Sequence, residues 1–267
     1  RVLVHSRAVM AITLSGMDLG DLAARTGREW LLTNGLGGYA AGTVSGVATR
    51  RYHGLLVAAL SPPRGRHVLV SHLDETVVDG YRHTALSSHA FPGTVTPDGW
   101  RHITRFALAP LPTWDFAVDD LRIERSIAML HGTHTVVVRY RHVAGPRAVS
   151  LRLRPFGVWR DFHHHTRASA AATIAAATDP ARPGEAVLRP YPAMPAVRIR
   201  APGVFHPSPD WWRDFEHAAE SARGLDDHED AFTPGEFVVA LGPGETVYVA
   251  LTTEAALPDD LGAAFDA

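Results

Sequence analysis

Several residue types are missing from this chain, and each absence excludes a chemistry. There is no cysteine among the 267 residues. Disulfides, thiolate nucleophiles and cysteine-ligated zinc are ruled out, and a reducing, cytoplasmic setting is the expectation. Lysine is also absent, so all 26 basic residues are arginine. Glutamine is absent as well, and Asn34 is the sole asparagine. A GC-rich coding sequence explains this bias, because it suppresses A-rich codons. An excess of either charge is lacking too: the formal net charge is -2. No basic face for nucleic acid is therefore expected. No apolar run approaches the roughly 18 residues of a membrane span, so no membrane partner is expected either. The opening stretch, Arg1 to Leu14, is mildly apolar but broken by His5, Ser6 and Arg7, which makes a poor secretion signal. The chain opens on arginine, so Met10, Met17 or a residue upstream is the expected start.

What is present reads as β structure. Val149-Ser-Leu-Arg-Leu-Arg154 alternates strictly, as a half-buried strand does. Leu121 to Leu130, Thr135 to Val143, Val197 to Arg200, Glu236 to Leu241 and Thr246 to Thr252 read the same way. In the first half, Trp30 to Thr33, Tyr52 to Leu60, His67 to Leu73, Thr76 to Val78 and Arg101 to Leu108 add more strands. Short turn clusters such as Ala144-Gly-Pro-Arg147 and Gly242-Pro-Gly-Glu245 join them. The fold class is all-β, a large antiparallel sandwich with one or two short helices. The best helix is Asp210 to Arg223: Asp210 can cap it, Gly224 follows it, and Trp211, Phe215 and Ala218 share a face. Ala168 to Ala177 fits helix and strand equally.

Four segments could carry chemistry. Asn34-Gly-Leu-Gly-Gly-Tyr loosely fits a dinucleotide-binding turn, but no helix follows and no acidic ribose partner stands downstream. A glycine turn fixed by Asn34, or a ligand-binding Asn34, is the better reading. Thr49-Arg-Arg-Tyr-His-Gly-Leu-Leu passes from polar residues into an apolar strand. Arg50, Arg51, Tyr52 and His53 could form a polar rim, since sugars are held by aromatic faces and fork-like donors. Equally, Arg50 or Arg51 could pair with Asp74 or Glu75 while Tyr52 fills the core.

In Arg160-Asp-Phe-His-His-His165, only His163 and His165 could share a metal if the run is a strand. No metal is expected there, and Arg160 with Asp161 is the better candidate for a buried polar pair. Of Trp211 and Trp212, one belongs to the core and the other could stack on a sugar ring. The acidic run Asp226 to Asp230 lacks the spacing of a calcium loop and reads as a solvated turn. A pair of glycosidase carboxylates is not marked: Asp74 with Glu75, and Glu229 with Asp230, are sequence neighbours. No Gly-x-Ser-x-Gly elbow exists. No catalytic residue, metal or cofactor is therefore assigned.

Taken in order, Asn34-Gly-Leu-Gly-Gly-Tyr, Thr49-Arg-Arg-Tyr-His-Gly-Leu-Leu, Leu73-Asp-Glu75, Arg160-Asp-Phe-His163, Glu220 with Arg223-Gly224, and Glu229-Asp230 with Pro234-Gly235 form a pattern. It resembles the N-terminal domain of the bacterial and archaeal type of glycogen-debranching enzyme, an amylo-α-1,6-glucosidase. The resemblance covers roughly residues 28 to 250, and the Thr49 to Leu56 string is its most specific part. It implies a super-sandwich similar to the N-terminal domain of bacterial glucoamylases. It also implies a following (α/α)6 barrel that carries the catalytic acids, and a share in binding α-glucan. On that basis residues 1–27 form an N-terminal extension, 28–255 the sandwich, and 256–267 the start of a linker to the barrel. One departure stands out: Val158 occupies the place where the family's Pro-Leu-Val-Asn-x-Arg-Asp run has asparagine.

The resulting expectation is a non-catalytic domain that positions α-glucan, such as glycogen or starch, for α-1,6 hydrolysis by a separate barrel. Its contacts would be Asn34, Arg50, Arg51, Tyr52, His53, Arg160, Asp161, Trp211 and Trp212. The alternatives are a structural domain that packs on the barrel without touching sugar, and a small self-sufficient hydrolase.

Overall fold

The computed structural model describes residues 11–62, 64–169, 175–192 and 194–267. Nineteen strands occur among them. They begin with β1 (Ile12–Ser15), β2 (Glu29–Thr33), β3 (Tyr39–Thr43), β4 (Gly54–Ser61), β5 (Arg64–Asp79) and β6 (Arg82–Ala85). Next come β7 (Ser88–Phe91), β8 (Thr94–Asp98), β9 (Ile103–Leu108), β10 (Pro112–Val118), β11 (Leu121–Met129), β12 (Thr135–Ala144) and β13 (Val149–Asp161). The series closes with β14 (Ala175–Asp179), β15 (Arg182–Arg189), β16 (Val197–Arg200), β17 (Val204–Glu216), β18 (His228–Leu241) and β19 (Thr246–Thr252). Among the described residues, helix is confined to α1 (Leu22–Thr26), α2 (Ala218–Ser221), α3 (Leu261–Asp266) and two 3-10 turns.

All pairings are antiparallel. A nine-stranded sheet runs β1-β9-β10-β11-β12-β19-β16-β15-β14. An eight-stranded sheet runs β17-β18-β13-β5-β4-β3-β2, with β6 paired to β5. A small β7-β8 ribbon stands apart. The all-β sandwich expected from alternation is what forms. Between the large sheets, Trp114, Phe116 and Tyr140 from one meet Leu56, Leu69, Leu151, Leu153 and Phe237 from the other, all essentially buried. Strand β13 shows why: Leu151 and Leu153 point inward, while Ser150, Arg152 and Arg154 alternate outward.

From Pro155 onward that alternation stops, and both faces of β13 are buried through Arg160. A second apolar cluster covers the outer face there, built from Val57, Val68, Phe156, Val158, Phe215 and Ala231. Phe91 of the β7-β8 ribbon packs against Phe215 at 4.9 Å between ring centroids. Elsewhere, α3 caps the outer face of the nine-stranded sheet. Its Phe265 packs with Ala128, Val137 and Ala250, and Asp260 accepts a hydrogen bond from the Ala263 amide at 2.9 Å. Residues 261–266 thus belong to the sandwich surface.

The helix expected over Asp210 to Arg223 is corrected. Asp210 to Glu216 lie in β17, and only Ala218–Ser221 is helical. Gly224 does follow that helix in a left-handed conformation (φ 68°). The reason for the misreading is a bulge: the β17-β18 register shifts between Trp212 and Phe215, and Asp214 has φ 63°. The expected face of Trp211, Phe215 and Ala218 is therefore split: Trp211 packs against the core between the sheets, and the inserted residue turns Phe215 to the outer cluster beside Trp212. Residues 170–174 lie outside the described region, and the alanine-rich segment is strand from Ala175.

Candidate functional site

The Thr49 to Leu56 and Arg160 to His165 motifs, with Glu220 and Glu229, converge on the outer face of the eight-stranded sheet, around the start of β4, the end of β13 and the start of β18. Two ion pairs organise them. Arg51 donates from Nη2 to Glu220 Oε2 at 2.8 Å, and its own amide reaches Glu220 Oε1. Arg160 makes a two-pronged contact with Glu229, through Nε to Oε1 and through Nη2 to Oε2 at 2.9 Å. Both Arg160 and Glu229 are buried. Such fork-to-carboxylate geometry fixes orientation as well as charge. The partners lie 169 and 69 residues apart, so only the fold brings them together.

The pairs lock three loops. Arg160 Nη2 also donates to the Arg51 carbonyl at 2.7 Å, and Glu229 Oε1 accepts from the Thr166 amide at 3.0 Å. Arg51 Nη1 donates to the His163 carbonyl at 2.7 Å. Asp161 accepts from the His163 amide at 2.9 Å, which closes the turn after β13. On this base sits an aromatic rim. Tyr52 meets Phe162 edge-on at 5.4 Å, and its hydroxyl lies 3.1 Å from His163 Nδ1. Tyr52 and Phe162 are half-buried and His163 is exposed.

The environment sets the charges. Burial opposes ionisation of Glu220, but hydrogen bonds and charge from Arg51, with Arg223 behind it, hold the carboxyl below its ordinary range. Burial pushes His53 down to about 4 despite Glu29, whose Oε1 lies 3.3 Å away. Burial, then the charge of Arg160, holds His217 well below the ordinary histidine value. His165 Nε2 and His217 Nδ1 are 2.9 Å apart. Neutral imidazoles therefore line the pocket beneath the rim.

The remaining sequence candidates fall as follows. Asn34 is fully buried and fixes its turn: Oδ1 accepts from the Leu36 and Gly38 amides, while Nδ2 donates to the Thr133 carbonyl at 2.8 Å. Gly35 and Gly37 need their left-handed φ of 78° and 88° there. Arg50 pairs with Glu29 and Arg51 with Glu220, in place of the suggested Asp74 or Glu75. Tyr52 stands at the rim, outside the core. The suggested Arg160–Asp161 pair is corrected, since Glu229 holds the Arg160 guanidinium. His163 and His165 diverge, one toward Tyr52 and the other toward His217 and Asp226, because the segment is a loop. Trp211 and Trp212 are strand neighbours on opposite faces. Trp211 leans on Phe232 and Trp212 on Phe156. The acidic run is half solvated: Asp226 is exposed, whereas Glu229 and Asp230 are buried.

The sequence did not reveal Glu29 or His217 as members. It also missed the group His72, Asp74 and His89, whose potential ligand atoms lie within 4.8 Å of one another. The i, i+2 spacing of His72 and Asp74 on one strand face was the available signal; His89 comes from a separate ribbon.

The sequence model of the glycogen debranching enzyme N-terminal family matches residues 28–248, and the chain belongs to that family. Comparison with curated proteins gives no match. Among solved structures, a polysaccharide lyase is similar at 13% identity, over 85% of this chain and 32% of its own, with a TM-score of 0.35. The chain thus spans about a third of that protein's length.

Proposed function

We propose that this domain holds α-glucan, of the glycogen or starch kind, for α-1,6 hydrolysis by a separate catalytic barrel of a debranching enzyme. The observation that carries this reading is the rim of Tyr52, Phe162 and His163, set on a base made rigid by Arg51–Glu220 and Arg160–Glu229. Half-exposed rings offer faces to the C–H side of glucose, and the exposed His163 offers a hydroxyl partner. In this reading Tyr52, Asp161 and Trp212 contact sugar. Asn34, Arg50, Arg51, His53 and Arg160 position the contacts, and Trp211 braces β17. Holding a substrate in register is itself a contribution to rate. A cytoplasmic location accords with the lack of cysteine.

Affinity electrophoresis in glycogen-containing gels tests it. The wild-type chain should be retarded, and Tyr52→Ala and Trp212→Ala should each reduce the retardation at least several-fold. Equal mobility with and without glycogen defeats the reading. That outcome favours a second one, in which the same face packs on the barrel. The burial of Arg160, Asn34 and His53 supports it, because their donors are already spent inside the protein.

A further inference from the structure

We propose that His72, Asp74 and His89 form a binding site for one divalent cation of the zinc class, which ties the β7-β8 ribbon to the eight-stranded sheet. The site lies behind the rim and does not rest on the glucan reading. His72 and Asp74 occupy positions i and i+2 of β5 and so face the same way, outward from the sheet. His89 on β7 closes over them, and its Nε2 lies 2.6 Å from Asp74 Oδ1.

The decisive atom is His72 Nε2. Ser71 Oγ donates to the Phe156 carbonyl at 3.1 Å and lies 2.9 Å from His72 Nδ1. The tautomer that satisfies both contacts of Ser71 at once carries its proton on Nδ1 and donates it to Ser71 Oγ. Nε2 is then the bare nitrogen. It is buried and has no hydrogen-bond partner. Asp74 Oδ1 lies 3.8 Å away, so in this tautomer a bare nitrogen and a carboxylate oxygen are neighbours with no proton between them. An unpartnered buried acceptor beside an anion is costly, and a cation between the two satisfies both.

The remaining features fit the same ion. A nitrogen, a carboxylate oxygen and a second nitrogen suit zinc. Bonds of about 2.0–2.1 Å to a tetrahedral ion place its ligand atoms about 3.3 Å apart. The two separations that include Asp74, 2.6 and 3.8 Å, lie on either side of that value, and all three ligand atoms lie within 4.8 Å of one another, so binding would draw the two histidines together. Ser71 holds the outer nitrogen of His72, as groups behind a metal ligand commonly do. Phe156 stacks on the His72 ring at 4.6 Å and fixes its plane. A cavity of about 90 Å³ that extends from Trp114 and Arg125 in the core between the sheets reaches His72, Asp74 and His89 at its edge, where a water could complete the ligand set.

Titration calorimetry of the chelator-stripped full chain with zinc chloride is the test. The wild type should bind one equivalent, and its melting temperature should rise with zinc. Asp74→Asn keeps the shape of the side chain and should weaken binding at least 100-fold. His89→Ala should do the same, while His164→Ala, on the exposed loop, should bind like wild type. Cobalt(II) in the wild-type chain gives a readout free of any folding defect: an intense four-coordinate visible spectrum supports the site. The proposal is overturned if the wild type binds no zinc, if the cobalt spectrum is the weak one of a hydrated ion, or if folded Asp74→Asn keeps its affinity.

Discussion

Two arginine–glutamate pairs built on buried glutamates lie on opposite faces of the eight-stranded sheet, and they do different work. Arg125 and Glu75 meet between the sheets: Arg125 Nη1 reaches both Glu75 oxygens at 2.9 Å. Tyr140 adds its hydroxyl to Glu75 at 2.8 Å, and the guanidinium lies over Trp114 at 4.1 Å. All of these groups sit on regular strands, so the pair bolts one sheet to the other. Arg160 and Glu229 meet on the outer face, where Arg160 also donates to the Arg51 carbonyl and Glu229 accepts from Thr166. Their partners are loop backbones. The same chemistry thus secures the sandwich in one place and shapes a surface in the other.

Breaking the inner pair should have the largest effect. Glu75→Ala strands a desolvated Arg125 and should cost about 3–5 kcal/mol in urea denaturation. Adding Arg125→Leu removes the stranded charge and should recover part of the loss. If the double variant is as unstable as the single, the unpaired charge is not the cause. The outer pair should respond differently. Glu229→Ala should cost about 1–3 kcal/mol, because loops 161–169 can open and hydrate Arg160. Hydrogen exchange should quicken in that loop and not in β10 to β12. Uniform quickening across both sheets would erase the distinction between the two pairs.

Acid should also discriminate the two regions, because the depressed histidines lie on the outer face. His53 is neutral in the folded chain, with its pKa near 4 against an ordinary value of 6.5. Between those values the unfolded chain binds more protons, so stability is full above about pH 6.5 and falls as pH drops toward 4. From pH 6 to pH 5 the share of His53 is about 1 kcal/mol. His217 is shifted in the same direction and adds to the slope. His53→Gln can still accept from the Thr49 amide and should lose about 1 kcal/mol less over that interval. An unchanged slope would show that His53 does not titrate on unfolding.

The sandwich was legible in the sequence because strand alternation is local. Val149 to Arg154 shows it without help from the rest of the chain. Strand lengths were less legible: β5 runs 16 residues, where the sequence suggested two strands, His67 to Leu73 and Thr76 to Val78. The site itself was half visible. Arg51, Tyr52 and Arg160 stood out by motif, but their partners Glu220, His163 and Glu229 lie 69 to 169 residues away. No spacing rule links such positions. Asp74 and Glu75 show the other half of the difficulty. As neighbours on one strand they face opposite sides, one toward His89 and one toward Arg125.

A third arginine–carboxylate pair sharpens the contrast by lying in water. Arg82 and Asp119 approach at 2.5 Å, yet their side chains are 71% and 58% exposed. Both ions keep most of their hydration, and salt screens what attraction remains. Holding a long arginine side chain in one rotamer offsets much of the gain. Arg82→Ala should therefore shift stability by no more than about 0.5 kcal/mol. Added salt should leave the difference between variant and wild type almost unchanged, since there is little left to screen. If Arg82→Ala instead cost as much as Glu229→Ala, depth would not be what separates these pairs. The different roles of the inner and outer pairs would then need a cause other than their surroundings.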